Sequence, residues 1–332
     1  MQHEIHCRPL GVTYLSDEDE TLLAAAVRQG HTVPHSCSTG RCGTCKVRIL
    51  EGEVERATPK ECALTAGEEA EGLALLCQSR ARSPVTLELN MIDETADIPV
   101  RRITGRVHEL EQVANDVMRI TVKLPQGDTL RYAAGQHVNV VLGPSVRRCV
   151  SIANSPDQDG LVELHLKHYG GILSTHVFEK MKAGDLLRME GPLGIFAIRR
   201  RTEKPIIFVA SGTGFAPIKS MVERLIQEGS RRPVAFYWAG RRPADLYMDE
   251  LARSWERRAG LRYVPVLAQP LPEDGWQGKT GFVQDVIAED FPDLSGHELY
   301  ICGAPVLIDA ARNVLQARCG LRDFYTDEFK KS

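Results

Sequence analysis

Three cysteines within one short loop constrain this chain more than any other feature. Cys37, Cys42 and Cys45 stand in the spacing C-x4-C-x2-C, and Cys77 follows well downstream. That spacing is the one a [2Fe–2S] ligand loop uses. Four thiolates must converge on two irons, and a loop can supply three of them if its backbone wraps around the inorganic sulfides. Gly40 and Gly43 suit such wrapping, because glycine reaches positive φ and lets backbone N–H groups come close. N–H donors at the sulfurs then help to set the reduction potential. Two other uses of cysteine fit less well. A four-cysteine zinc site usually shows two short pairs, whereas Cys77 stands by itself. A disulfide framework belongs to a secreted chain with an even count, and here there are nine cysteines and no apolar signal core among the first residues.

Composition narrows the class without naming it. A chain of 332 residues has room for two or three domains, and 43% hydrophobic with 26% charged residues is ordinary for a globular protein. A net charge of −3 gives no sign of nucleic-acid binding. No apolar run approaches the roughly twenty residues that a membrane span needs. So many thiols outside a disulfide framework lead us to expect a reducing cytoplasm.

Read in order, residues 1–92 form a first domain. A hairpin is expected around Arg8-Pro9, a helix over Glu20–Gln29 stopped by Gly30, and short strands at Lys46–Leu50, Ala74–Cys77 and Val85–Leu89. Residues 93–101 are acidic with a proline and read as a linker. Residues 102–200 alternate densely, with strands expected at Ile103–Val107, Val117–Leu124, His137–Leu142, Cys149–Ala153 and Val162–Lys167 and one helix at Ser174–Met181. Short strands so close together predict a small barrel. From Lys204 to the end of the chain, strand and helix alternate, which predicts a doubly wound parallel sheet. Helices are expected at Pro217–Glu228, Ala244–Ala259, Phe282–Ala288 and Pro305–Ala317. Gly212-Thr213-Gly214 follows the apolar strand Pro205–Ala210 and precedes a helix, a geometry that cradles phosphate, although a plain tight turn would read the same way.

The cysteine loop resembles that of plant-type ferredoxins, which implies an α+β β-grasp domain with Cys37, Cys42, Cys45 and Cys77 as cluster ligands. The third domain resembles the nicotinamide half of the ferredoxin–NADP reductase superfamily. Three runs carry the likeness in family order: Gly212-Thr213-Gly214-Phe215-Ala216-Pro217, Tyr237-Trp238-Ala239-Gly240-Arg241 and Cys302-Gly303-Ala304-Pro305. The resemblance implies that the first takes the pyrophosphate, the second borders the adenosine ribose, and the Cys-Gly pair meets the nicotinamide. The barrel is then the flavin half, a six-stranded antiparallel β-barrel ahead of the α/β doubly wound sheet. Arg148-Cys149-Val150-Ser151 aligns with the family R-x-Y-S motif and runs on into Ile152-Ala153-Asn154. By the same likeness Arg148 pairs a flavin phosphate and Ser151 lies near the reactive N5. Gly170-Gly171-Ile172-Leu173-Ser174 resembles the G-G-x-x-S element at a helix N-terminus, with Thr175 beside it, and His165 and Lys167 precede it on a flavin-side strand. Val150 stands where the family has tyrosine; valine offers apolar contact but neither hydroxyl nor ring face. An acidic and aromatic C-terminal element approaches the flavin in relatives, which makes Glu328 and Phe329 candidates; the alternative there is a strand end and a frayed tail.

Ferredoxin, flavin barrel and nicotinamide sheet in one chain resemble the reductase components of multicomponent bacterial oxygenases, such as those of benzoate dioxygenase, phenol hydroxylase and methane monooxygenase. The reductase of CDP-6-deoxy-glucoseen formation shares the architecture. The implied cofactors are a [2Fe–2S] cluster, FAD in preference to FMN, and NADH in preference to NADPH. The implied route runs from the nicotinamide through the flavin and the cluster to a Rieske or di-iron oxygenase, or to another electron-accepting protein. A monomer with no nucleic-acid or membrane partner is expected. Arg241 and Arg242 stand where a 2′-phosphate would be met, and no acidic residue directly follows Tyr237-Trp238; relatives with a similar Gly-x-Arg segment nevertheless use NADH. A free-standing diaphorase or flavin or ferric reductase, and a redox-sensing module with a degraded flavin site, are the readings from other classes.

Overall fold

The computed structural model describes the chain except residues 1, 32, 36–39, 41, 42, 44, 58–63, 90–92, 97, 144, 145, 157–159 and 329–332, and the side chains of 93 and 96. It divides into two compact units, Met1–Arg101 with Pro192–Phe196, and Arg102–Gly191 with Ala197–Ser332.

In the first unit, five strands order as Val12–Asp17, Gln2–Pro9, Val85–Leu89, Lys46–Glu51 and Leu73–Leu75. Gln2–Pro9 pairs antiparallel with Val12–Asp17 and parallel with Val85–Leu89. The hairpin turns at Leu10-Gly11 rather than at Arg8-Pro9, with Gly11 at φ 66° and Pro9 closing the first strand. The helix Leu22–Arg28 is capped by Thr21, whose hydroxyl accepts from the Ala24 N–H. It buries Leu22, Leu23, Ala25 and Ala26 against a core of Ile5, Val47 and Leu87. The strand expected through Cys77 stops at Leu75, and Leu76–Gln78 turns as a 3-10 helix. A short helix, Asp93–Ala96, occupies the expected linker.

In the second unit, six strands order as Val146–Ser151, His137–Leu142, Leu186–Leu193, Arg101–Ala114, Val117–Lys123 and Leu161–Lys167. The two outer strands are drawn together by an antiparallel bridge, Ile152 to Leu164, and by the Ala153 N–H donating to the Glu163 carbonyl at 2.7 Å. Alternate residues such as Val138, Val140, Val150 and Ile152 fill the interior. The barrel helix spans Ile172–Glu179, two residues earlier than expected, because it starts directly after Gly171.

The remaining sheet orders as Lys279–Thr280, Arg262–Leu267, Val234–Gly240, Ile206–Ser211, Glu298–Gly303 and Asp323–Glu328, all parallel. Glu298–Gly303 is buried along its whole length, as a parallel strand covered on both faces must be. Flanking helices run Phe215–Gln227, Asp249–Ala259, Val283–Asp290 and Pro305–Cys319. The helix expected from Ala244 begins at Asp249 instead, since Pro243–Asp245 forms a separate 3-10 turn. Ser211, Gly240 and Gly303 all end strands at one edge of this sheet, the edge at which such folds take ligands.

Candidate electron-transfer site

Cys45 and Cys77 lie in the first unit, both buried, with sulfurs 3.3 Å apart. That separation exceeds a disulfide bond of about 2.05 Å, so two thiols meet side by side without being joined. Gly40 and Gly43 take φ of 87° and 75°, the conformations the wrapping loop requires. The Gln78 amide approaches the Cys77 sulfur at 3.7 Å, an N–H aimed at a sulfur of the kind that tunes a cluster. This donor set fits a [2Fe–2S] cluster, and Cys45 and Cys77 would hold it from this side. Cys37 and Cys42 lie outside the described residues.

On the barrel, Ser151 is buried and its hydroxyl has no hydrogen-bond partner. A buried polar group without a partner is costly, and a flavin edge would satisfy it. Arg148 is half-buried, donating to the Arg147 carbonyl at 2.9 Å. Cys149 faces outward and donates to Asn139 Oδ1 at 3.2 Å. Val150 packs into the barrel core. Gly170 has φ 75°, and Gly171 begins the helix Ile172–Glu179 with no side-chain cap. Its first N–H groups are thus left for an anion. Within that helix the Ser174 hydroxyl donates to the Gly171 carbonyl at 3.0 Å, and Thr175 is half-buried. Lys167 pairs with Asp116 at 2.9 Å. Asn154 uses its amide within the barrel, donating to the Leu161 carbonyl and accepting from the Glu163 N–H.

On the nicotinamide sheet, Gly212 takes φ 52°, and Gly212–Gly214 winds as a 3-10 turn straight into Phe215–Gln227. A Cβ on Gly214 would stand 2.1 Å from the Cys302 carbonyl oxygen, and one on Gly303 would stand 2.1 Å from Ser211 Oγ. The two glycine motifs therefore touch through backbone that no other residue could share, although about ninety positions separate them in sequence. Thr213 and Pro217 are buried in that turn and helix, and Pro305 begins the helix Pro305–Cys319. Cys302 is fully buried, and burial, with the Asp327 charge behind it, pushes its thiol well above the ordinary range. Glu328 pairs beside Gly303 in the edge strand Asp323–Glu328; Phe329 lies outside the described residues. Gly240 ends its strand half-buried, and Arg241 is exposed.

At the seam between barrel and sheet, Lys219, Glu163 and Tyr247 had no sequence signal, and they gather around His165, which did. Lys219, 6% exposed, reaches Glu163 at 3.2 Å, Glu223 at 3.0 Å and the Ala153 carbonyl at 3.3 Å. Glu163 accepts from His165 at 2.7 Å, and His165 meets the Tyr247 hydroxyl at 2.9 Å. Burial alone would raise the Glu163 carboxyl, but the His165 hydrogen bond and the Lys219 charge hold it down at about 2. Burial lowers His165 against the pull of Glu163. Beside them Phe215 stacks on Trp238 at 4.0 Å, and Tyr247 stands edge-on to both. The seam thus sets a buried ion-pair network beside a stack of aromatic rings.

Comparison with known proteins fits this geometry. Residues 5–82 match the 2Fe-2S iron-sulfur cluster binding domain, 104–198 the oxidoreductase FAD-binding domain, and 208–313 the oxidoreductase NAD-binding domain. The chain is 36% identical over 335 residues to the CDP-6-deoxy-L-threo-D-glycero-4-hexulose-3-dehydrase reductase of Yersinia pseudotuberculosis, covering all of both chains. It belongs to the iron–sulfur flavoprotein reductases of the ferredoxin–NADP reductase superfamily. The phenol hydroxylase P5 protein of Acinetobacter pittii is 35% identical, over 99% of this reductase and 95% of that protein. The solved structure of a cytochrome P450 reductase from Amycolatopsis matches with a TM-score of 0.80 at 31% identity, over 99% of each chain. The reductase is an NAD(P)H-dependent oxidoreductase whose cofactors are a [2Fe–2S] cluster, FAD and NAD(P)H, and it passes electrons to an electron-accepting partner. Among its described residues no helix is long and apolar enough to cross a membrane.

Proposed function

We propose that this reductase draws electrons from NADH and delivers them singly to an oxygenase component of Rieske or di-iron type. It acts as a cytoplasmic monomer with domains at 1–92, 102–200 and 204–332. The observation that carries this reading is the union, along one chain, of a buried thiol pair, a barrel with an unsatisfied Ser151 hydroxyl, and a nicotinamide sheet whose glycine motifs meet at Cys302. Bound FAD would supply the step that a one-electron cluster cannot, accepting a hydride and releasing electrons one at a time.

The side chains have the following roles. Ser151 would offer its hydroxyl to bound flavin. Cys302 would face the nicotinamide as a neutral thiol, which burial and Asp327 keep protonated. Gly214 and Gly303 let the turn after Ile206–Ser211 and the end of Glu298–Gly303 pack directly on each other, which brings the two motifs to one place. Arg148 and the N-terminus of Ile172–Glu179 would hold flavin phosphates, and the N-terminus of Phe215–Gln227 would hold the nucleotide pyrophosphate. Glu328 stands at the sheet edge beside Gly303. Phe215 and Trp238 stack as a buried apolar pair behind the ends of the strands.

A second client is favoured by the full-length likeness to a hexulose-dehydrase reductase: a sugar dehydrase would then take the electrons instead. Mixing the purified protein anaerobically with NADH tests the chemistry shared by both. Flavin colour should bleach first and the cluster's colour after it. A protein that purifies with iron–sulfur colour alone, or a flavin that NADH leaves oxidised, would sink the reading in favour of a redox-sensing module. Reduction of either purified client then separates the two partners, and failure of both would leave the diaphorase.

A further inference from the structure

The end of the strand Val234–Gly240 carries charges that electron transfer leaves unused. In doubly wound folds the adenosine ribose lies near here; an acidic side chain there takes the 2′-hydroxyl of NAD, and an arginine accommodates the 2′-phosphate of NADP. Two consecutive arginines, Arg241 and Arg242, would by themselves read as a phosphate site.

The tertiary structure reverses that reading. Asp274, in the 3-10 turn Pro272–Asp274, grips Arg242 with both carboxylate oxygens, at 2.7 Å to Nε and 2.8 Å to an Nη. The Nε–Nη edge of the guanidinium is taken, and that planar edge is one that would otherwise receive a phosphate. Asp274 is itself held, since Oδ2 accepts the Leu271 N–H at 2.8 Å. The Arg242 hydrogen bonds, followed by that of Leu271, lower its carboxyl, so it stays charged. Asp245 accepts the N–H groups of Arg241 and Arg242 through one oxygen, at 2.7 Å and 3.1 Å, and lies 4.0 Å from the Arg241 guanidinium. Glu273 adds a third carboxylate 3.8 Å from Arg242. Two guanidinium charges thus meet three carboxylates. A dianionic 2′-phosphate would have to displace Asp274 from that edge, or approach the remaining Nη donors against the carboxylates of Asp274, Asp245 and Glu273. An uncharged 2′-hydroxyl meets no such opposition and can donate to one of them.

We propose that Asp274 is the specificity-determining residue for the dinucleotide: by occupying Arg242 it makes the site select NADH over NADPH. The proposal rests on the reading that this sheet takes a nicotinamide dinucleotide. It names which one, and why the arginine pair does not bring in phosphate.

The test uses the holoenzyme, with ferricyanide as acceptor and the ratio of kcat/KM for NADPH and NADH as readout. Wild type should favour NADH by about tenfold or more, the size of one charge-assisted pairing. Asp274→Asn should move the ratio toward NADPH by about tenfold. Adding Arg242→Gln should cancel that gain, because the released guanidinium is what binds the phosphate. A ratio in Asp274→Asn within about twofold of wild type, a shift too small for a lost ionic contact, overturns the proposal. So does Arg242→Gln alone selectively impairing NADPH use, because the arginine would then already reach the phosphate. Should the Asp274 variant not fold, the wild type still decides: adenosine 5′-phosphate must compete with NADH better than adenosine 2′,5′-bisphosphate, and the opposite order overturns the proposal. Turnover with an unshifted ratio defeats this inference alone, whereas no turnover with either nucleotide defeats the electron-transfer reading along with it.

Discussion

Gly214 is where two distant motifs become one site. Its missing Cβ leaves the space that the Cys302 carbonyl occupies, with Cys302 O 2.1 Å and C 2.6 Å from where the methyl would be. Both obstacles are backbone in a fully buried strand, so neither can swing aside. Gly214→Ala must push apart the pyrophosphate turn and the nicotinamide strand, at an overpacking cost of about 1–3 kcal/mol. Stopped-flow mixing with NADH should show flavin reduction slowed by about tenfold or more, since one misplaced ångström can cost that much, while the iron–sulfur absorbance is unaltered. An unslowed variant would mean that the close approach has no part in positioning. Val150 stands where the family has tyrosine, and in the structure its side chain packs among the barrel's apolar residues. The adjacent Ser151 carries a buried hydroxyl with no partner.

The element that ties barrel to sheet is the helix Phe215–Gln227, through Lys219. Replacing it by methionine leaves Glu163 and Glu223 facing each other without their cation. Breaking a buried pair costs about 3–5 kcal/mol, and the lower end applies here because the two carboxylates keep 17% and 20% exposure. Lys219→Met should therefore lower the melting midpoint of the flavin-bound unit, followed by flavin fluorescence, and leave loss of cluster absorbance where it was. The same network sets an acid limit. Glu163 has a folded-state value of about 2 against an ordinary 4.5, so the unfolded chain binds more protons as pH falls. The stability that Glu163 contributes is full above about 4.5 and is lost between there and about 2. His165, lowered from 6.5 by burial, acts in the same direction: it is neutral when folded and is protonated more readily when unfolded, so its penalty begins as pH falls below its ordinary value. Denaturant melts across pH should show Glu163→Gln with a flatter acid limb than wild type. Parallel limbs would show that the carboxylate is not what titrates.

At the scale of the whole chain, the cluster decides which acceptors can be served. Cys77→Ser removes one of the two thiols seen side by side and should abolish reduction of a protein acceptor such as cytochrome c, by about a hundredfold or more, consistent with loss of a cluster ligand. Reduction of ferricyanide by NADH, which can occur at flavin, should persist. Cytochrome c reduction that persists alongside that of ferricyanide would place the acceptor site elsewhere. That three-part chain was legible in the sequence because its signals are local. Cysteine spacing is set by how a loop wraps a cluster, the glycine runs by how close backbone comes to phosphate, and strand and helix periods by which face is buried. Element ends were less legible: the first turn moved to Leu10-Gly11, and the helix after Gly240 began at Asp249, because packing decides where a strand or helix stops. What the sequence could not carry at all were pairs made by folding. Arg242 and Asp274 stand 32 positions apart, and Lys219 is brought to Glu163 from another domain. A charge written in sequence has no partner until tertiary structure supplies one, and folding gives Arg242, half of an arginine pair that reads as a phosphate site in the chain, a carboxylate partner in Asp274.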